Sequence, residues 1–123
     1  MSVAAVDEIT KALTALQSSA PGVNAVLLAS SEGRVHASTL PSGTERLHLS
    51  AISAAALAIA GKGARDMHLG NLTQVHIRGQ SGSILLLSLG HKAVLSFVLG
   101  ENVAPEPVLE AGKGALRQLE SLV

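Results

Sequence analysis

The chain has no cysteine, tryptophan or tyrosine, and Phe97 is its one aromatic residue. Without cysteine there is no disulfide, no thiolate nucleophile and no cysteine-based metal site. Without Trp or Tyr, a binding surface lacks the residues that most often anchor hot spots or stack on bases. Charge is also sparse: nine Lys and Arg balance nine Asp and Glu, for a formal net charge of zero. There is no basic stripe to neutralise phosphates, which argues against nucleic-acid binding. The first residues carry Asp7 and Glu8 within an amphipathic pattern rather than a basic region followed by an apolar run. No signal peptide is expected, and the chain reads as a soluble cytoplasmic protein. What it has in quantity is aliphatic: 47% of its 123 residues are hydrophobic, and most of these are Ala, Leu, Val or Ile. The length fits a single domain, 1–123, small enough that burial through association would help materially.

The segment Leu47–Gly61 has no charged residue and is apolar or small on nearly every side. It falls short of the roughly 18 apolar residues of a membrane span, so no membrane insertion is expected. A helix of this kind needs cover on two faces. The economical solution places one face on the chain's own sheet and the other on a second copy. The helix is expected from about Glu45 to Met67, with Thr44 as N-cap. On its wheel Leu49, Ile52, Ala56, Ile59, Gly63 and Met67 share one face, assigned to the sheet because it holds the bulky side chains. Ala51, Ala54, Ala55, Ala58 and Gly61 lie roughly opposite, and their small side chains let two helix axes approach closely. They are assigned to the dimer interface.

Around this helix, Val6, Ile9, Leu13 and Leu16 recur at helical spacing, and Ser18 to Gly22 stop that first helix. Ala25–Ala29 reads as a strand buried on both faces, Ser31-Glu32-Gly33 as a tight turn, and Arg34–Ser38 as an outer strand. Pro41 to Thr44 form a loop. After Gly70, Val75 and Ile77 alternate with Gln74, His76 and Arg78 in a half-wet strand; Gly79 to Gly82 signal a hairpin. Ile84–Leu87 and Val94–Leu99 are central strands, and Pro105 opens a third helix with the stripe Val108, Leu109, Gly112, Leu116, Leu119 and Leu122. The order is α-β-β-α-β-β-β-α.

Gly22 to Val35, then the Ala-rich helix closing at Leu69-Gly70 before Leu72, Val75 and Ile77, then Gly82 with Leu85-Leu86 and Leu89-Gly90, resemble the Roadblock family. These are the dynein light-chain relatives that include MglB-like bacterial regulators of small GTPases. The resemblance implies an α/β (α+β), Roadblock/profilin-like fold: a five-stranded antiparallel sheet with the long second helix on one face and the terminal helices on the other. It also implies a homodimer in which third strands pair edge to edge and second helices pack together. Val75, His76 and Ile77 thereby join the dimer interface. A small Ras-like GTPase is the implied partner, which this chain would scaffold, regulate or activate.

Catalysis is not expected. Hydrolase chemistry needs a nucleophile with a positioned base and an orienting third group. Ser30, Ser31, Ser81 and Ser83 instead sit at turns, where serine serves local hydrogen bonding. The five histidines lack a short ligand pair, so neither a metal nor a cofactor is expected. Ala-Gly-Lys-Gly-Ala occurs at 60–64 and again at 111–115, without the spacing of a phosphate loop; close helix packing explains its glycines better. Glu45, Arg46, Lys62 and Arg65 flank the long helix and form the candidate partner-binding rim. The expected protein is therefore a non-enzymatic dimeric regulator. The competing readings are an adaptor subunit without GTPase contact and a PAS- or profilin-like sensor of a small ligand.

Overall fold

Among the described residues eight elements follow one another as α1 (Val3–Ser19), β1 (Val23–Ser30), β2 (Val35–Ser38), α2 (Thr44–Asp66), β3 (Gln74–Gly79), β4 (Gly82–Leu89), β5 (Ala93–Leu99) and α3 (Pro105–Leu122). This computed structural model describes residues 2–41 and 43–123; Ser42, placed by its sequence in the loop before the long helix, lies outside the described residues. The strands form one antiparallel sheet in the order β2-β1-β5-β4-β3. That is the expected architecture, with β3 at one edge and the three apolar runs in the middle.

Central strands covered on both faces lose the alternation of a half-wet strand. On one face Val26, Leu28, Leu85, Leu87, Leu95 and Phe97 pack against α1 and α3. Ile9, Leu13 and Leu16 of α1 and Val108 and Leu119 of α3 close this larger core. On the opposite face Leu27, Ala29, Leu86 and Val94 form a smaller core under α2. The same strands supply both sets, which is why β1, β4 and β5 read as continuous hydrophobic stretches.

The helix ends follow local chemistry. Ser2 caps α1 by accepting from the Ala5 amide at 3.1 Å. Pro105 opens α3 as expected. Thr44 differs from expectation: it is the first residue inside α2, and Gly43 holds the cap position at φ 135°. An L side chain rarely adopts that φ, so the glycine turns the chain into the helix and no side-chain cap is made. Gly112 sits where an added Cβ would lie 2.5 Å from Leu87 and 3.2 Å from the Phe97 ring, so close packing does explain it. Gly63 and Gly114 face open space, and the packing explanation fails for them.

The seating of α2 overturns the expected helix faces. Ser50 and Ser53 are fully buried, beside Leu49, while Ala56 and Leu57 pack partly against the smaller core. The Ser53 hydroxyl donates to the Leu49 carbonyl at 2.6 Å and lies 2.7 Å from the Ser96 hydroxyl of β5. Ser50 donates to the Gly33 carbonyl in the β1–β2 turn. Ile52, Ile59 and Met67, assigned by size to the sheet, are 48%, 76% and 70% exposed. The wheel treated bulk as the criterion for burial. Here small hydroxyl side chains bring the helix close, their polar atoms are paired, and the bulky groups turn outward.

The far edge is β2, four residues long, with a register shift opposite Leu28 and Ala29. His36 lies there half-buried, and burial, then the Arg34 charge, lowers its pKa below the ordinary histidine value.

Two outcomes follow from these contacts. With the Ser53 proton given to Leu49, the Ser96 hydroxyl must donate to Ser53. Ser53→Ala then leaves Ser96 buried without an acceptor and costs about 1–3 kcal/mol, whereas Ser53→Ala with Ser96→Ala removes the orphan and costs less than the single change. Urea denaturation of the three proteins checks this order. For His36 the unfolded chain takes a proton more readily than the native one. Its contribution is therefore unimpaired above the ordinary pKa of about 6.5 and declines as pH falls from there toward the lower native value. His36→Gln should flatten that part of a stability–pH profile measured from about pH 7.5 to 5.5.

Candidate functional site

Among the described residues β3 has one hydrogen-bonded neighbour, β4, and its other edge carries free backbone groups. Its side chains alternate across the sheet. Val75 and Ile77 stand opposite Leu86 and Ile84, on the α2 side; His76 and Arg78 stand opposite Leu85 and Ser83, on the other. Val75 is half-buried, and Ile77 is 39% exposed at an edge that nothing among the described residues covers. His76 is exposed on the opposite face from α2, so the three strand residues are adjacent in sequence but divided between two surfaces.

The outer side of α2 supplies the larger apolar surface. Ala51, Ala55 and Ala58 are exposed, as the small-residue stripe requires. Ala54 is half-buried and faces the β1–β2 turn, 3.7 Å from where a Cβ on Gly33 would lie. Gly61 is buried within the chain itself, with Arg65 folded beside it. Three of the five expected helix positions are thus on the free surface and two turn inward. In their place stand Leu47, 63% exposed, and the displaced Ile52 and Ile59. Together they make a ridge of alternating small and branched side chains on the same side of the sheet as Val75 and Ile77. These larger residues were missed as site residues. The signal was Ser50 and Ser53, whose hydroxyls suit a covered position only if a sheet residue such as Ser96 answers them.

The charged rim does not form one cluster. Glu45 and Arg46 lie in the first turn of α2, while Lys62 and Arg65 lie in its last turns, about 25 Å further along at ~1.5 Å per residue. Arg46 is half-buried and the other three are exposed. Lys62 is paired with Asp66 one turn on. Arg65 has no carboxylate within ion-pair distance among the described residues. This arrangement brackets the apolar ridge with charge at both ends.

Among the described residues nothing convergent of a catalytic kind accompanies the ridge. The fully buried hydroxyls of Ser50, Ser53 and Ser96 all have hydrogen-bond partners, spent on holding α2. Among the described residues no three His, Asp or Glu side chains gather as a metal site would require. Both Ala-Gly-Lys-Gly-Ala copies lie inside helices. By length and composition α2 is apolar enough to cross a membrane. In this fold, however, it lies along a sheet with its buried hydroxyls answered by that sheet.

The Roadblock/LC7 domain family matches residues 9–99. Among solved structures, the fold is similar to MglB in a tetrameric arrangement, with a TM-score of 0.87 at 18% identity, covering 99% of this chain and 92% of that one. It is also similar to the gliding protein MglB of Thermus thermophilus, with a TM-score of 0.85 at 18% identity over 99% of this chain and 93% of that one. A Roadblock/LC7 domain from Streptomyces avermitilis gives a TM-score of 0.85 at 14% identity, over 91% of this chain and 94% of that one. No curated protein matches the sequence at a significant level. At these identities the structural likeness speaks for the fold, and the family match over most of the chain carries the assignment. The chain belongs to the Roadblock/LC7 family.

Proposed function

We propose that the protein is a non-enzymatic homodimer that binds a small Ras-like GTPase in the cytoplasm and regulates or scaffolds it. The observation that carries the reading is the apolar ridge of α2, left uncovered beside an unpaired β3 edge. An exposed strand edge next to exposed Leu and Ile is a liability that native proteins cover. A two-fold axis at β3 covers it economically: the two β3 strands pair antiparallel, the sheet continues through both subunits, and the α2 ridges meet on one side. Ala51, Ala55 and Ala58 allow the helix axes to approach, and Leu47, Ile52 and Ile59 supply the buried area. The structural likeness to an MglB that is itself arranged as a tetramer supports self-association within this fold.

The partner assignment rests on the family. Its support here is physical: a paired α2 platform bracketed by Glu45, Arg46, Lys62 and Arg65 offers a neutral apolar centre with charged margins, the usual anatomy of a protein interface. Arginine at such a margin steers association more than it adds affinity.

Two experiments test the two halves separately. Ala58→Glu places a charge on an exposed position of the subunit, so folding by circular dichroism should be unchanged. Within the pair that charge is buried without a partner, at a cost of about 3–5 kcal/mol. The dissociation constant from sedimentation should therefore rise by at least about a hundredfold. An unaltered protein that sediments as a single subunit at micromolar concentration refutes the dimer. For the partner, the dimer should capture a small Ras-like GTPase encoded in the same genome in one nucleotide state over the other. Arg46→Glu with Arg65→Glu should slow that capture. A dimer that captures no such GTPase in either state, and leaves its hydrolysis unchanged, is an adaptor instead.

A further inference from the structure

Where β3 begins and β4 ends, a cavity of about 460 Å³ opens between α2, the segment leading into β3, and α3. Pockets that hold small ligands span about 300–1,000 Å³ and combine an apolar lining with a few polar groups. Leu57, Leu72, Leu87 and Leu116 line this one from four different parts of the chain. Its basic groups are Arg65 at the end of α2, His91 in the β4–β5 turn, and Lys113 on α3. None of the nine Asp and Glu residues lines it.

The cations are largely unengaged. Arg65 has no carboxylate within ion-pair distance among the described residues, and Lys113 stands 4.0 Å from Glu110 in an exposed pair worth little. A second carboxylate, Glu120, approaches the Gly90 turn. Neutral hydrogen-bonding groups are at hand in Asn71, Thr73 and Ser88. The one aromatic of the chain, Phe97, is buried in the larger core away from the cavity, so no ring is present to stack on a base or a planar head.

We propose that this cavity binds a small amphipathic anion: a hydrocarbon chain laid against the leucines, ending in a carboxylate or phosphate held between Arg65 and Lys113. The larger core is closed by aliphatic side chains and Phe97 and offers no such combination. The cavity lies at the end of the sheet instead, where apolar lining and unspent positive charge meet. The site shares Ala58 with the α2 face and Arg65 with the charged rim of the proposed dimer, so ligand binding itself, and neither association nor GTPase capture, is what tests it.

The test uses octanoate and octylammonium, equal in chain length and opposite in charge, each titrated below its micelle concentration into the ¹⁵N-labelled full-length protein. Octanoate should produce saturable shifts at the amides of Leu72, Gly90 and Leu116, and octylammonium should not. Octyl phosphate should bind at the same amides, and its affinity relative to octanoate decides which head group the site prefers. Arg65→Gln with Lys113→Gln changes two exposed side chains. It should weaken octanoate by at least about tenfold, the scale of losing a charge-assisted contact, with an unchanged spectrum elsewhere. Equal binding of both amphiphiles, shifts confined to Leu47, Ile52 and Ile59, an unaltered affinity in the double variant, or no saturable shift would each overturn the proposal.

Discussion

A hydrogen bond between two serines, Ser53 on α2 and Ser96 on β5, sets the orientation of a 23-residue helix on its sheet. In a fully buried place, two hydroxyls must answer each other or cost the fold a desolvated polar group. Once they do, the rotation of α2 about its own axis is fixed. Ser50, one turn earlier, repeats the arrangement against the β1–β2 turn. Everything distinctive about the outer surface follows, because a helix with hydroxyls underneath carries its isoleucines on top.

The subunit therefore has two unequal cores. The one beneath α1 and α3 is built from Phe97 and a dense set of leucines and closes on itself. The one beneath α2 is small, and the helix above it leaves apolar groups in water. That asymmetry follows from a domain of limited size: the chain covers one face of its central strands with two helices and the other with a single helix.

Most of the architecture was legible in the sequence because it depends on signals that are local. Apolar runs without alternation marked β1, β4 and β5, and the alternation from Gln74 to Arg78 marked β3 as a strand with one wet face, while its place at the edge came from the family resemblance. Pro105 and the stripe that follows it marked α3. The helix stripe was only half legible. Ala51, Ala55 and Ala58 were placed outward correctly, but Ile52 and Ile59 were assigned to the sheet, because periodicity locates faces without saying which one is covered. The deciding contact, from Ser53 to Ser96, spans 43 residues of sequence, and no local pattern announces it. The rim residues Glu45 and Arg65 stand at the two ends of one helix, as their places in the sequence imply. The cavity draws on α2, β4, α3 and the segment before β3, so only the tertiary fold brings its leucines and cations together.

The two borders of the sheet are unlike. At β2 the ladder is four residues long and its register breaks opposite Leu28 and Ala29, which leaves a poor template for another strand. β3 runs six residues in unbroken register. A ribbon with two good borders can add subunits without limit. One good border and one blunted border allow a single join, after which growth through the sheet has nowhere to continue. In that sense the irregularity at β2 guards against fibre formation as surely as β3 invites a neighbour.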